Sequence, residues 1–275
     1  MTTLVAGGTG KTGRRVAARL KARGVPVRIG SRSAEPPFDW EDRSTWGPAL
    51  HGASAAYIAY YPDLAVPGST EAIAELASIA LAGGTRRLVL LSGRGEEEAR
   101  RAERALADSG AEWTVVRCSW FMQNFSEEFL LDQILAGEVA LPAGDVPAPF
   151  VDAEDIADVA VAALTEDGYA GRVYELTGPS ALTHAEAIAE IARATGRDVR
   201  YVPISLDAFV AGATADGVPA EVVSLLAYLY EEVLVERNAG VADGVGQALG
   251  REPRAFADYA RDTAATGVWS ARAAA

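Results

Sequence analysis

The sequence predicts an α/β protein: a Rossmann-type, doubly wound parallel sheet with a smaller carboxy-terminal α/β substrate lobe. Three observations predict it. A glycine-rich turn follows the first apolar run directly, strand-like runs alternate with helix-period stretches through the first half, and that alternation fades after residue 118. Each crossover between parallel strands lays a helix on the sheet, so such a sheet is covered on both faces.

Residues 4–6 form a short buried strand, and residues 14–23 a helix with Val16, Ala17 and Leu20 on one face, ended by Gly24. Residues 25–29 are the second strand, 38–40 a third and 55–59 a fourth. Residues 70–82 are an amphipathic helix closed by Gly83 and Gly84, 87–92 a fifth strand, 96–109 a charged helix and 113–118 a sixth strand. Beyond Cys118 the spacing predicts a helix over 123–136 and a turn-rich stretch at 142–149. Asp152 is placed to cap a helix over about 153–164, where Asp155 and Asp158 read as surface charges. A strand at 173–176 follows, then a helix over 184–194 capped by Thr183, and helices around 206–215 and 220–236. These later pieces are too short for a core of their own. The expected organisation is a nucleotide-binding domain over 1–150 and a mainly helical lid over 151–275, with some segments returning to the sheet.

The 275 residues, 49% hydrophobic and 23% charged, suffice for a sizeable core. Twenty-five basic against 38 acidic residues leave a net charge of −13, which repels a phosphate backbone, so nucleic acid is not an expected partner. One cysteine, Cys118, and two histidines, His51 and His184, exclude an internal disulfide and most Cys/His zinc sites, and no metal is expected. No apolar run approaches the roughly 18–20 residues of a membrane span. The apolar start, residues 4–6, runs at once into glycines and lacks a secretory layout. A cytoplasmic monomer or homodimer acting on a small molecule is expected.

The stretch Val5-Ala6-Gly7-Gly8-Thr9-Gly10-Lys11-Thr12-Gly13 ends a strand and opens a helix, the setting a dinucleotide fingerprint needs. Its spacing fits both G-x-x-G-x-x-G (Gly7, Gly10, Gly13) and G-x-G-x-x-G (Gly8, Gly10, Gly13). Glycine allows the turn and a close backbone approach to a pyrophosphate, which then meets the positive end of the helix. Gly7, Thr9, Gly10, Lys11, Thr12 and Gly13 are therefore cofactor-binding candidates. A triphosphate loop is excluded, because G-x-x-x-x-G-K-[ST] requires glycine where Val5 stands. At the end of the second strand, Gly30-Ser31-Arg32-Ser33 offers no acid before Glu35. An acid there would hold the ribose hydroxyls of NAD; Ser31 and Arg32 suit a 2′-phosphate, Arg32 bidentately. NADP(H), preferred over NAD(H), is the expected cofactor.

GGTGKTG followed by Arg32, FDWEDRSTW, RLVLLS, WTVVRCSWFMQNFSEEF, PFVDAEDIADVAVAALT and LGREPRAFADYARD together resemble the NmrA-like branch of the atypical short-chain dehydrogenases/reductases, from the first residue to about 269. Within it the sequence is most similar to the ergot-alkaloid-type reductases and the bacterial NAD(P)H quinone and azo reductases. It also resembles the atypical ketoreductases of aromatic polyketide antibiotic biosynthesis. The resemblance implies that Cys118, Ser119, Trp120 and Phe121 lie by the nicotinamide; Ser92, which matches the neighbourhood of the family's serine only loosely, is a further cofactor-binding candidate. Proline is common in the family where Cys118 stands. The branch holds cofactor-sensing regulators besides reductases, so a non-catalytic NADP(H) sensor is the alternative. Ordinary short-chain dehydrogenases use Tyr and Lys in Y-x-x-x-K. Alignment on Glu103 puts Gly95 and Ala99 at those positions, and no lysine follows Lys21. The proton that accompanies hydride must then come from another hydroxyl, from water or from the substrate.

In doubly wound folds the ligand lies beyond the carboxyl ends of the strands. Tyr60 and Tyr61 follow one strand and Ser92 ends another, so these three hydroxyls are the proton-donor candidates. Tyr61, Trp120, Phe121, Asn124, Phe125, Phe150 and Phe209 are candidates for the substrate pocket, with Phe129, Tyr228 and Tyr230 as further aromatics, and they favour a bulky, flat substrate. The expected function is NADPH-dependent reduction of a carbonyl on an aromatic, polyketide-like secondary metabolite; iminium, quinone or azo reduction is the alternative chemistry. His184 reads as a surface or capping residue, Cys118 is not expected to act as a nucleophile, and residues 96–98 read as the solvated first turn of a helix.

Overall fold

The computed structural model describes residues 2–270. The strands are β1 (Thr2–Ala6), β2 (Val27–Gly30), β3 (Ala53–Ile58), β4 (Arg87–Gly93), β5 (Glu112–Cys118), β6 (Glu138–Leu141), β7 (Arg172–Leu176) and β8 (Arg200–Pro203). The helices are α1 (Lys11–Ala22), α2 (Trp46–Leu50), α3 (Ser69–Ala82), α4 (Glu97–Ala107), α5 (Asn124–Glu127), α6 (Phe129–Ala136), α7 (Ala153–Thr165), α8 (His184–Thr195), α9 (Leu206–Ala215), α10 (Ala220–Tyr228), α11 (Gly244–Leu249) and α12 (Phe256–Ala265). No helix among the described residues is long and apolar enough to cross a membrane.

The chain folds into two compact units. The first comprises the residues up to Cys118, Ala153–Leu176 and Asp243–Arg251; the second comprises Ser119–Asp152, Thr177–Ala242 and the chain from Glu252 on. This division differs from a cut at residue 150. The chain leaves the first unit where β5 ends, and α7, β7 and α11 return to it.

The first unit is a Rossmann-type fold around a six-stranded sheet, ordered β2-β1-β3-β4-β5-β7 and parallel throughout. Leu4, Ala6, Ala56, Ile58, Leu88 and Leu90 face a core closed by Trp46, Ile73, Leu76 and Leu106 of α2, α3 and α4. On α1, Arg15 and Arg19 pair with Glu154 and Asp158 of α7, at 2.6 Å for Arg15–Glu154 and for Arg19–Asp158. Residues 38–40 do not form the expected strand. Phe38, Trp40 and Trp46 cluster instead, with Phe38 and Trp40 rings 4.9 Å apart, and the indole N–H groups of Trp40 and Trp46 donate to the carbonyls of Ala59 and Asp39. Side-chain packing there takes the place of a strand ladder.

In the second unit, β6 and β8 form a parallel pair. Thr183 and Glu186 make a reciprocal capping box that starts α8. The helix expected over 123–136 is broken at Glu128, whose backbone is extended (φ −143°, ψ −155°) and separates α5 from α6. The helix expected over 220–236 ends at Tyr228 and continues as one wider turn over Leu229–Val233.

Candidate functional site

The turn after β1 is shaped by its glycines. Gly7 has φ +73°, in the left-handed region, and a Cβ there would lie 3.0 Å from the Ala59 carbonyl oxygen. At Gly13, in the first turn of α1, a Cβ would fall 2.2 Å from the carbonyl oxygen of Gly7. The Gly10 N–H closes the turn on that same carbonyl at 3.0 Å. α1 begins with no side-chain cap and no acidic residue in its first turn, so its positive end is left to an anion. Thr9 and Gly10 are exposed, Lys11 is half-buried, and Thr12 and Gly13 are buried. The strand order reverses between β1 and β3, and this turn lies beside that switch point, where the fold binds its ligands. A Cβ at Gly7 or Gly13 would strike neighbouring backbone, so the turn is close-packed and bare there, and it fits a pyrophosphate.

After β2 the N–H groups of Ala34 and Phe38 both donate to the Ser31 carbonyl, at 3.1 and 2.9 Å, and curl the chain outward. The Ser31 and Ser33 hydroxyls stand 3.4 Å apart. Between them, Arg32 is exposed and forms no ion pair among the described residues.

Past β3, Tyr60 is half-buried with its ring 4.7 Å from Trp40, and burial pushes its hydroxyl pKa up. Tyr61 is 66% exposed. Ser92 is buried, and its hydroxyl donates to Glu103 Oε1 at 2.6 Å. Glu103 is also gripped by both arms of Arg117, which reaches Glu175 as well, at 3.3 Å. The Ser92 hydroxyl thus braces a buried carboxylate in this arrangement. Ser92→Ala should cost about 1.5–3 kcal/mol of stability and leave turnover within a few-fold of wild type; a collapse in turnover without loss of fold would give Ser92 the catalytic role.

Glu96 departs from its expected place. Only Glu97 and Glu98 occupy the exposed start of α4; Glu96 precedes it and turns inward, 6% exposed. Its carboxyl fills the space that Gly93 leaves open, since a Cβ on Gly93 would lie 1.9 Å from Glu96 Oε1. Asp63, half-buried in the segment after β3, accepts the Ala65 N–H at 2.8 Å and interacts with the Glu96 carboxyl. Burial, and next the Asp63 charge, raise the Glu96 pKa well above the usual carboxylate range; burial also pushes Asp63 up. Burial, with Glu96 nearby, likewise raises the Cys118 thiol, which stays protonated and is no nucleophile.

In the second unit, Ser119 is buried, while Trp120, Phe121 and Asn124 are half-buried. Phe121 bridges to Val151, whose N–H donates to the Trp120 carbonyl at 2.8 Å. Phe125, Phe150 and Phe209 are packed in the core of this unit, at 0%, 2% and 8% exposure, rather than lining its surface. Tyr230 is buried and Tyr228 half-buried; the side chain of Phe129 lies outside the described residues. His184 is no surface residue. It is 1% exposed among Trp120, Phe125, Phe150 and Tyr230, its Nδ1 has no hydrogen-bond partner among the described residues, and burial drives its pKa down to about 4. No cluster of metal-ligating side chains occurs among the described residues.

Residues 7–167 match the NAD(P)H-binding family, and residues 99–259 match the NmrA-like family. The chain belongs to the NmrA-like family. This NmrA-like protein is an NAD(P)H-binding oxidoreductase. It is 35% identical to a (4-alkanoyl-5-oxo-2,5-dihydrofuran-3-yl)methyl phosphate reductase of Streptomyces griseus over 95% of this chain and 97% of that one. It is 32% identical to agroclavine dehydrogenase of Claviceps fusiformis over 99% of this chain and 100% of that one. The fold matches a Citrobacter triphenylmethane reductase complexed with NADP(H), at TM-score 0.74 and 19% identity over 96% of this chain and 100% of that one.

The NmrA-like fold brings Gly7, Thr9, Gly10, Lys11, Thr12 and Gly13 into one turn, with Ser31 and Arg32 at the end of β2. The sequence does not single out Asp63 or Arg117, offers Glu103 only as an alignment anchor, and puts Glu96 in a solvated turn rather than in the buried place that it takes. One signal was readable: Asp63 and Glu96 each follow a strand closely, on the edge where ligands bind.

Proposed function

We propose that this NmrA-like protein is an NADPH-dependent reductase that places hydride on the carbonyl carbon of a bulky, flat small molecule. The observation that carries the reading is the glycine cradle at Gly7 and Gly13, flanked at the end of β2 by exposed Arg32 between two serines. NADPH, when bound, supplies the hydride. The cradle and the start of α1 hold the pyrophosphate, and Arg32 takes the 2′-phosphate that NADH lacks. Half-buried Trp120 and Phe121, with Asn124 nearby in sequence, support a flat acceptor shielded from water. The names of the two relatives, a dehydrogenase and a dihydrofuranyl methyl phosphate reductase, support oxidoreduction of a small molecule, and the Streptomyces protein supports a place in secondary metabolism.

The test is a fluorescence titration with NADPH and NADH, followed by loss of reduced-nicotinamide absorbance with polycyclic ketones, quinones and cyclic iminium ions. Oxidation of NADPH by ketones first is the expected result; turnover of iminium ions or quinones alone would move the chemistry to those bonds, and none with any acceptor would overturn the reading. Arg32→Ala should weaken NADPH about 10- to 100-fold while leaving NADH nearly unchanged. Equal losses for both would remove the argument for NADPH.

A further inference from the structure

The chain lacks a Tyr/Lys pair at the expected spacing, its Ser92 proton is held by Glu103, and its two tyrosines past β3 are a half-buried ring packed on Trp40 and an exposed one. Reduction of a carbonyl still needs a proton at oxygen. We propose that Glu96 and Asp63 share one proton at the carboxyl edge of the first unit's sheet, and that Glu96 is the catalytic acid that gives it to the carbonyl oxygen. The inference rests on the reductase reading above.

Four observations carry it. First, the placement: β4 ends at Gly93, paired in register with Cys118 at the end of β5, and Glu96 folds back onto that glycine. The edge is continuous with the phosphate turn, because Gly7 packs on Ala59, which leads through Tyr60, Tyr61 and Pro62 to Asp63. Second, the room is built. Gly93 has no side chain where the carboxyl lies, and a Cβ there would push the carboxyl out of this place. Third, Glu96 Oε2 is buried and no donor among the described residues hydrogen-bonds to it, so only the Asp63 carboxyl competes for a proton held there. A buried polar atom left unpaired is costly, and such costs persist where a site uses them.

The fourth is the charge environment. Asp63 faces Glu96 from the segment after β3, Glu103 from α4 and the Cys118 thiol from β5. Glu103 is neutralised by Arg117, so Asp63 is the uncompensated neighbour. Two carboxyls in contact cannot both ionise cheaply, and the proton settles on the more deeply buried one. Asp63, half-buried, gives the pair a route back to solvent.

The step balances simply. Hydride from bound NADPH forms the new C–H bond and leaves NADP⁺. The carbonyl π pair takes the proton from Glu96 as its O–H bond breaks, and the product is an alcohol. Glu96 remains as a carboxylate until water returns a proton by way of Asp63. An iminium acceptor takes hydride alone and needs no such acid.

The test uses the full-length protein and two conservative variants. Infrared difference spectra at neutral pH should show a carboxylic-acid C=O stretch, shifted in heavy water, that is absent from Glu96→Gln; this needs no turnover. Glu96→Gln should bind NADPH as wild type does and lose about 100-fold in ketone turnover, with iminium turnover spared. Wild-type ketone turnover should fall as pH rises through the raised Glu96 pKa, because the acid form is the active one. Asp63→Asn removes the charge that raises that pKa and should move the decline to lower pH. A missing acid band, or ketone turnover in Glu96→Gln equal to wild type, overturns the proposal while the reductase reading stands. Equal loss with ketones and iminium ions would make Glu96 structural. No turnover by the wild type with any acceptor overturns both.

Discussion

Gly13→Ala is expected to weaken NADPH binding by at least about 100-fold, because displacement of a binding element by about 1 Å costs on that order. The added Cβ would stand 2.2 Å from the Gly7 carbonyl oxygen and 2.9 Å from the Gly8 Cα, both backbone atoms that no rotamer change can move aside. The helix start and the turn must separate, and the cradle opens. Overpacking of this kind also costs about 1–3 kcal/mol of stability, so a control is needed that loses stability without touching the turn. Gly110→Ala serves: its φ of +84° strains any side chain, yet nothing lies within 4 Å of a Cβ there. Thermal unfolding and NADPH fluorescence on both variants separate the effects. Binding retained by Gly13→Ala would show that this turn does not hold the pyrophosphate.

Acidification should destabilise the protein through His184, by up to about 3 kcal/mol between pH 6.5 and 4. The sign follows from proton counts. In the unfolded chain the imidazole gains its proton near its ordinary pKa of 6.5, whereas in the fold burial holds it neutral down to about 4. The unfolded state therefore binds more protons across that window. Stability is fully present above it and is lost as pH falls through it. Its ring neighbours are Trp120, Phe125, Phe150 and Tyr230, and burial alone sets the cost of charging it. His184→Phe keeps a ring in that cage and removes the unpartnered Nδ1. Urea midpoints across the window should fall less steeply for His184→Phe than for wild type. Parallel curves would mean that His184 is solvated in solution.

The legible parts were those written in contiguous residues. The turn at Gly7–Gly13 needs only a strand end, glycines and a helix start, all within one short stretch. Thr183 and Glu186 cap α8 from three residues apart. Residues 38–40 were less legible: two aromatics either side of Asp39 read as a strand, but their partner is Trp46 rather than another strand. Residues 123–136 carry a helical period throughout, and the break at Glu128 leaves no mark in that period.

By itself, then, the sequence determined the parallel sheet, its nucleotide turn and the arginine at the end of β2, because periodicity, glycine and sign of charge act locally. Tertiary structure alone decided which polar groups are spent and which are held ready. Ser92 reads as a proton-donor candidate until its hydroxyl is seen to bond Glu103, Glu96 as a solvated acid until Gly93 makes room for it, and His184 as a surface or capping residue until four aromatic rings enclose it. Burial and pairing set the protonation of such groups, and both depend on partners that the chain brings together only when it folds.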